Sequence, residues 1–157
     1  MKISSYKSQL NENGLINLVS EKDYNIDGRR IYNTPEAIAD FVGDQIGLRK
    51  AAEEFVYIIC FDSANHITGC FEASHGSMNA SMFPVREICK KALLLNAASI
   101  AVTHNHPSGV TEPSQEDIAV TKRLKDALQV LGLQLLDHVI VAGNTKEYYS
   151  FCKNGII

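Results

Sequence analysis

His104 and His106 stand one residue apart in the segment Thr103-His-Asn-His-Pro-Ser-Gly-Val-Thr-Glu-Pro-Ser-Gln-Glu-Asp117. In an extended backbone such a pair projects to one side, with Cα atoms roughly 7 Å apart, so both imidazoles can converge on one ion. Asn105 points away. Pro107 fixes the chain direction after the second histidine, and Gly109 permits the reversal that brings the next helix back. Asp117, in the first turn of that helix, is then placed to supply a third, anionic ligand. Zinc sites with three protein ligands keep the fourth position for water, whereas a structural site closes with four. Water on such an ion has a pKa of about 7, so hydroxide becomes available at neutral pH, and the ion also polarises a carbonyl. This chemistry needs a base and a donor for the developing oxyanion. Ser114 is the candidate donor, and Glu53 or Glu54, at the mouth of a strand starting with Phe55, the candidate base.

Each feature has a plainer reading when taken singly. Ser114-Gln-Glu-Asp117 also fits a capping box, in which Ser114 caps a helix and Asp117 complements its dipole. A His-x-His pair alone can be two polar loop residues, and adjacent glutamates commonly form a solvated helix end. The conjunction of all of them points to a site.

The elements that must position these residues follow from periodicity. Leu15 to Val19 reads as an edge strand, with a turn-rich stretch from Asp23 to Arg30 after it. Thr34-Pro35 opens a helix expected to run to about Glu53, with Ile38, Phe41, Val42 and Ile46 on one face and Gly43 and Gly47 as weak points. Phe55 to Phe61 is a continuous apolar run, as in a strand covered on both faces. Ile67 to Ala73 returns as its hairpin partner after a polar turn. A Gly/Ser/Asn loop, His75 to Ser81, leads to a helix near Pro84 to Asn96. Ala98 to Thr103 is a short buried strand, followed by a loop from His104 to Pro113. A helix from Ser114 carries Val120, Leu124, Leu128 and Leu131 at helical spacing as far as Gly132. Leu133 to Val141 and Glu147 to Phe151 are the last strands. Alternation of strands and helices without an internal repeat implies an α/β sandwich with a mixed β-sheet flanked by helices.

Composition narrows the function classes. The chain has 157 residues, 45% hydrophobic and 21% charged, enough for one domain with its own core. Lys plus Arg is 15 and Asp plus Glu is 18, a net charge of −3, which gives no reason to expect a nucleic-acid partner. Lys90, Lys91, Lys122, Arg123 and Lys125 read as solvated helix faces. The polar N-terminus lacks a signal-peptide core and no apolar stretch is long enough to span a membrane, so a cytoplasmic protein is expected. Cys60, Cys70, Cys89 and Cys152 contain no CxxC pair and suggest neither a disulfide framework nor a thiolate zinc site. That absence also excludes a zinc deaminase, which needs Pro-Cys-x-x-Cys.

His104-x-His106, seven residues, Ser114, two residues, Asp117 resembles the metal-binding signature of the JAMM (MPN-type) metallopeptidases. The segments HNHPSG and EPSQED are similar to the bacterial RadC-like branch, as are EEFVYIICFD, Gly76 to Ser81, Arg86-Glu87, Asn96-Ala-Ala98, Thr121 to Leu124 and Leu136-Asp-His138. The resemblance covers about Glu53 to Phe151, leaving residues 1–52 as an N-terminal strand and helix packed on that core. Pro84-Val85-Arg86-Glu87 departs from the usual Pro-Arg-Glu. The region before Glu53 is too short for the helix-hairpin-helix-like segment of full-length RadC proteins.

The resemblance implies a JAMM/MPN-like, cytidine-deaminase-like sandwich. His104, His106 and Asp117 would be Zn2+ ligands, Ser114 would stabilise the tetrahedral intermediate, and Glu53 would be the general base, with Glu54 the alternative by a one-residue shift. It implies a zinc-dependent hydrolase of an amide, peptide or isopeptide bond acting on an unknown protein or peptide substrate. The other class it brings is an accessory role in DNA repair or mobile-element biology, against which the acidic balance and absence of Trp argue. Asp137 and His138 match the family pattern and are expected to be structural or to support the ligands from behind.

Overall fold

A computed structural model describes residues 1–27, 31–76 and 83–157. Among the described residues the strands and α-helices are β1 (Lys2–Leu10), β2 (Ile16–Asn25), α1 (Pro35–Asp40), β3 (Phe55–Phe61), β4 (Ile67–His75), α2 (Val85–Leu94), β5 (Ser99–His106), α3 (Gln115–Val130), β6 (Gln134–Ala142) and β7 (Tyr148–Ser150). The strands form one seven-stranded sheet in the order β2-β1-β4-β3-β5-β6-β7. Pairing is parallel between β1 and β4 and between β5 and β6, and antiparallel elsewhere. The mixed α/β architecture therefore matches the sequence reading. No described helix is long and apolar enough to cross a membrane.

Alternation along the central strands divides the core between the two faces of the sheet. Ile59, Phe61, Ala101, Val139 and Val141 pack with α1, through Ala37, Ile38 and Ala39. Val56, Ile58, Cys60, Ile100 and Val102 pack on the other face with Ile88 and Ala92 of α2 and Val120, Leu124 and Leu128 of α3. Leu124 and Leu128 are fully buried, so truncating either to Ala would cost about 2–5 kcal/mol. Their burial docks α3 against β6 and α2, and the connection from β5 brings the helix N-terminus to the C-terminal end of that strand.

Four local expectations need correction. β1 was not anticipated, because only Ile3 and Ser5 along it are buried and its partner β2 is largely exposed, so neither strand carries a clean apolar alternation. β2 extends to Asn25, through part of the stretch read as turns; residues 28–30 lie outside the described part. The helix expected from Pro35 to Glu53 stops at Asp40 and continues as a π-helical turn, Phe41–Ile46, and a 3₁₀ turn, Leu48–Lys50. Gly47, at φ +98°, breaks the run, since a left-handed backbone there ends a helix and favours glycine. The fourth concerns β5, which reaches His106 instead of ending near Thr103, so both histidines sit in a strand and not in the loop. The Gly76 to Ser81 motif lies outside the described residues beyond Gly76.

Candidate metal centre

β5 carries His104 and His106 on the face that packs against α3, and α3 presents Asp117 from its first turn. The three side chains each offer a ligand atom, all within 4.8 Å of one another. His104 Nε2 lies 2.9 Å from His106 Nε2 and 3.6 Å from Asp117 Oδ1, and His106 Nε2 is 3.9 Å from Asp117 Oδ2. His104 and Asp117 are almost wholly buried, and only His106 keeps partial access to solvent.

The hydrogen bonds behind this cluster settle which ring nitrogens carry protons. Thr121 Oγ lies 2.5 Å from the Asp117 carbonyl and 2.6 Å from His138 Nδ1. A carbonyl can only accept, so the single hydroxyl proton goes to it and the hydroxyl oxygen accepts from His138 Nδ1–H. His138 Nε2 is then an acceptor, and His104 Nδ1–H donates to it across 2.7 Å. On the other ligand, His106 Nδ1–H donates to the Val110 carbonyl at 2.6 Å. In their neutral form both rings therefore turn an unprotonated Nε2 inward. Two bare lone pairs at 2.9 Å repel unless a cation lies between them, and a proton is disfavoured because burial pushes His104 down to about 4, against the pull of Asp117. The donor set thus fits a divalent ion, for which the tetrahedral ligand edge is about 3.3 Å with bonds of about 2.0–2.1 Å.

Asp117 is aimed by a capping box. Its N–H donates to Ser114 Oγ at 3.1 Å, while its Oδ2 accepts from the Ser114 backbone N–H and hydroxyl, both at 2.8 Å. The plainer reading of Ser114 is thus the one on display: its only hydroxyl proton is donated to Asp117. Capping and ligand placement are one arrangement, because fixing Oδ2 leaves Oδ1 facing His104.

Glu53 and Glu54 separate by strand register. β3 and β5 pair Val56 with His104 and Tyr57 with Thr103, so continuing that register sets Glu54 opposite His106, on the ligand face, and Glu53 on the opposite face. Glu54 lines an open cleft of about 410 Å³ together with His106, Ser114, Glu116 and Asp117. Glu53 is instead exposed, hydrogen-bonds His75, which stacks on Phe55 at 4.1 Å, and is absent from that cleft, bordering only the neighbouring depression that Glu54, Gly76 and Pro107 also line. The structure does not bring Glu53 to the cluster. A larger cavity, about 590 Å³, opens by Arg49 and Lys146, both paired with Asp44, and holds none of the three ligand residues.

These features coincide with a match to a known family. Residues 32–156 match the RadC-like JAB domain. The chain belongs to the RadC-like JAB domain family. Among its relatives, a UPF0758 protein of Desulfitobacterium hafniense is 40% identical over 129 residues, covering 82% of this chain and 55% of that protein. A UPF0758 protein of Pelobacter propionicus is 36% identical over 135 residues, covering 83% and 57%, and one of Pseudoalteromonas translucida is 40% identical over 128 residues, covering 81% and 55%. The chain spans about half the length of these curated relatives. The RadC-like match begins at residue 32, so it includes α1 as well as the part from Glu53 onward.

His138 supports His104 from behind, as its place in the family pattern implies, whereas Thr121 and Phe151 around this RadC-like cluster escaped the sequence reading. Thr121 and His138 are buried polar positions within otherwise apolar patterns, and the spacing of Thr121, four residues after Asp117, is the signal that places Thr121 and Asp117 on one face of α3. Phe151 stacks on His138 with ring centroids 4.4 Å apart, holding its plane. Asp137 does not reach the cluster. It accepts from the His138 and Cys152 N–H groups and from the Ser150 hydroxyl, tying β6 to the end of the chain, and burial raises its pKa.

Proposed function

We propose that this chain is a zinc-dependent hydrolase of an amide, peptide or isopeptide bond. His104, His106 and Asp117 hold the ion, and Glu54 moves the proton. The observation that carries this reading is the pair of inward-facing Nε2 lone pairs, each set by an acceptor behind its ring, beside a carboxylate in a buried pocket that opens into a cleft. Zinc suits two imidazoles and one carboxylate with a position left open. When bound, it supplies Lewis-acid polarisation of the carbonyl and of an attacking water.

The chain's own groups do the rest. Glu54, opposite His106, accepts a proton from the attacking water as the C–O bond forms, and returns it to the amine nitrogen as the C–N bond breaks. Ser114 keeps Asp117 aimed, and turning its hydroxyl out of that bond would present it to the oxyanion. The test is a proteome-derived peptide library incubated with zinc-loaded protein and read for new termini by mass spectrometry. Wild type should cleave, Glu54→Gln should cleave at least about 10²-fold more slowly while retaining zinc, and His106→Ala should not cleave. Cleavage by Glu54→Gln at the wild-type rate, with Glu53→Gln inactive, would return the base to Glu53.

A further inference from the structure

The last backbone pair between β3 and β5 on the side of the cluster is Val56 with His104. Beyond it a side chain takes over. Asn105 Oδ1 accepts the Phe55 N–H at 2.9 Å, and its Nδ2 donates to the Glu53 carbonyl, also at 2.9 Å. One planar amide therefore holds the peptide groups on both sides of Glu54. The Glu54 carbonyl is held as well, by the Gly76 N–H at 2.8 Å. Asn105 is fully buried, and its partners fix the orientation of its amide, because a carbonyl must meet the NH2 and an N–H must meet the oxygen.

The geometry points to Asn105 as the positioning residue that sets Glu54 against the metal centre. Its own chain neighbours are the ligands His104 and His106, so one strand carries the ion's imidazoles on one face and, through the residue between them, the clamp on the carboxylate segment. No other common side chain of this size offers one donor and one acceptor in a plane. Asp lacks the donor and Leu lacks both. Placement matters because a displacement of about 1 Å at a reacting group can cost about 10² in rate. The inference rests on the proposed role of Glu54 in hydrolysis.

Cobalt(II) provides a readout that needs no substrate. In protein loaded with one Co2+, pseudocontact shifts and paramagnetic broadening locate each residue relative to the ion. In wild type, the Glu54 side-chain resonances should be strongly broadened. In Asn105→Leu, which keeps the size and removes both bonds, the amides of Glu53, Glu54 and Phe55 should change their pseudocontact shifts, and the Phe55 amide should exchange with solvent at least about 10-fold faster. Val139 and Thr121 should keep their wild-type values, and Co2+ should remain at one per chain. Asn105→Ala gives the same comparison where Asn105→Leu does not fold. Wild-type shifts at residues 53–55 in a folded variant would overturn the inference and leave the hydrolase reading standing. Unbroadened Glu54 resonances in wild type would instead overturn the assignment of Glu54, and the inference with it.

Discussion

Replacing Thr121 by Val keeps the shape of a fully buried side chain and removes the one hydroxyl that directs the proton order behind His104. In the wild-type arrangement the hydroxyl accepts from His138 Nδ1–H, which leaves His138 Nε2 to accept from His104 Nδ1–H. Without it, His138 Nδ1–H has no partner in a dry site, at a cost of about 1–3 kcal/mol. The ring escapes that cost by moving its proton to Nε2, and this proton then points at His104 Nδ1 and forces the His104 proton onto Nε2. The metal-binding lone pair is lost in that state, so binding must first reverse it. Metal affinity should fall about 10–100-fold, equivalent to about 1.4–2.7 kcal/mol. Thr121→Ser, which retains the hydroxyl, should stay within a few-fold of wild type. Zinc competition against a chromogenic chelator measures the affinities, and imidazole 15N shifts report the tautomers. Equal zinc affinity for Thr121→Val and wild type would refute the proton order deduced here.

Other consequences follow from the same contacts. Ser114→Ala removes the cap and one partner of Asp117 Oδ2, so thermal unfolding should show about 1 kcal/mol lost and zinc binding should weaken, by less than on loss of either histidine. In the metal-free protein, burial holds His104 down to about 4, below its ordinary 6.5, so between these values the unfolded chain binds more protons than the folded one. Stability should therefore drop as pH falls from about 6.5 towards 4, and a urea midpoint that stays flat across that range would contradict the buried, neutral histidine. Duplex or single-stranded DNA should not bind in a salt-dependent manner at physiological ionic strength, because net charge is −3, Arg123 donates to the Phe83 carbonyl and Lys90 pairs with Glu87. Submicromolar affinity that collapses with salt, in an electrophoretic or anisotropy titration, would instead favour the accessory role in DNA repair.

The parts legible in sequence were those written in short-range spacing. The i, i+2 histidines, the Ser114-x-x-Asp117 box and the Val120, Leu124, Leu128 stripe each depend on one element's own period, and the structure brings these residues together. What spacing left open was set across elements. The choice between Glu53 and Glu54 turns on pairing of β3 with β5, and a shift of one residue reverses the face. Thr121 and His138 meet only because α3 lies over β6, and Asn105 finds its partners 50 and 52 residues away. β1 and the part of β2 beyond Val19 were obscured for a different reason: a half-exposed hairpin at the sheet edge buries too little to impose an apolar alternation. In the turn after β6, Gly143 packs so closely on Pro107 that a Cβ would lie 2.7 Å from its carbonyl oxygen. That close approach fixes the strand end just past His106, where the Gly143 N–H also donates to the His106 carbonyl.

Metal analysis coupled to X-ray absorption tests the central claim most directly. Protein purified without added zinc, or reloaded with zinc after chelation, should hold one zinc per chain, with a shell of two imidazole nitrogens and oxygen ligands at about 2.0–2.2 Å and no sulfur. His104→Ala should lose it, whereas Glu54→Gln should keep it. A chain that stays zinc-free on reloading with His104, His106 and Asp117 intact, or one whose zinc is ligated by sulfur, would contradict the account.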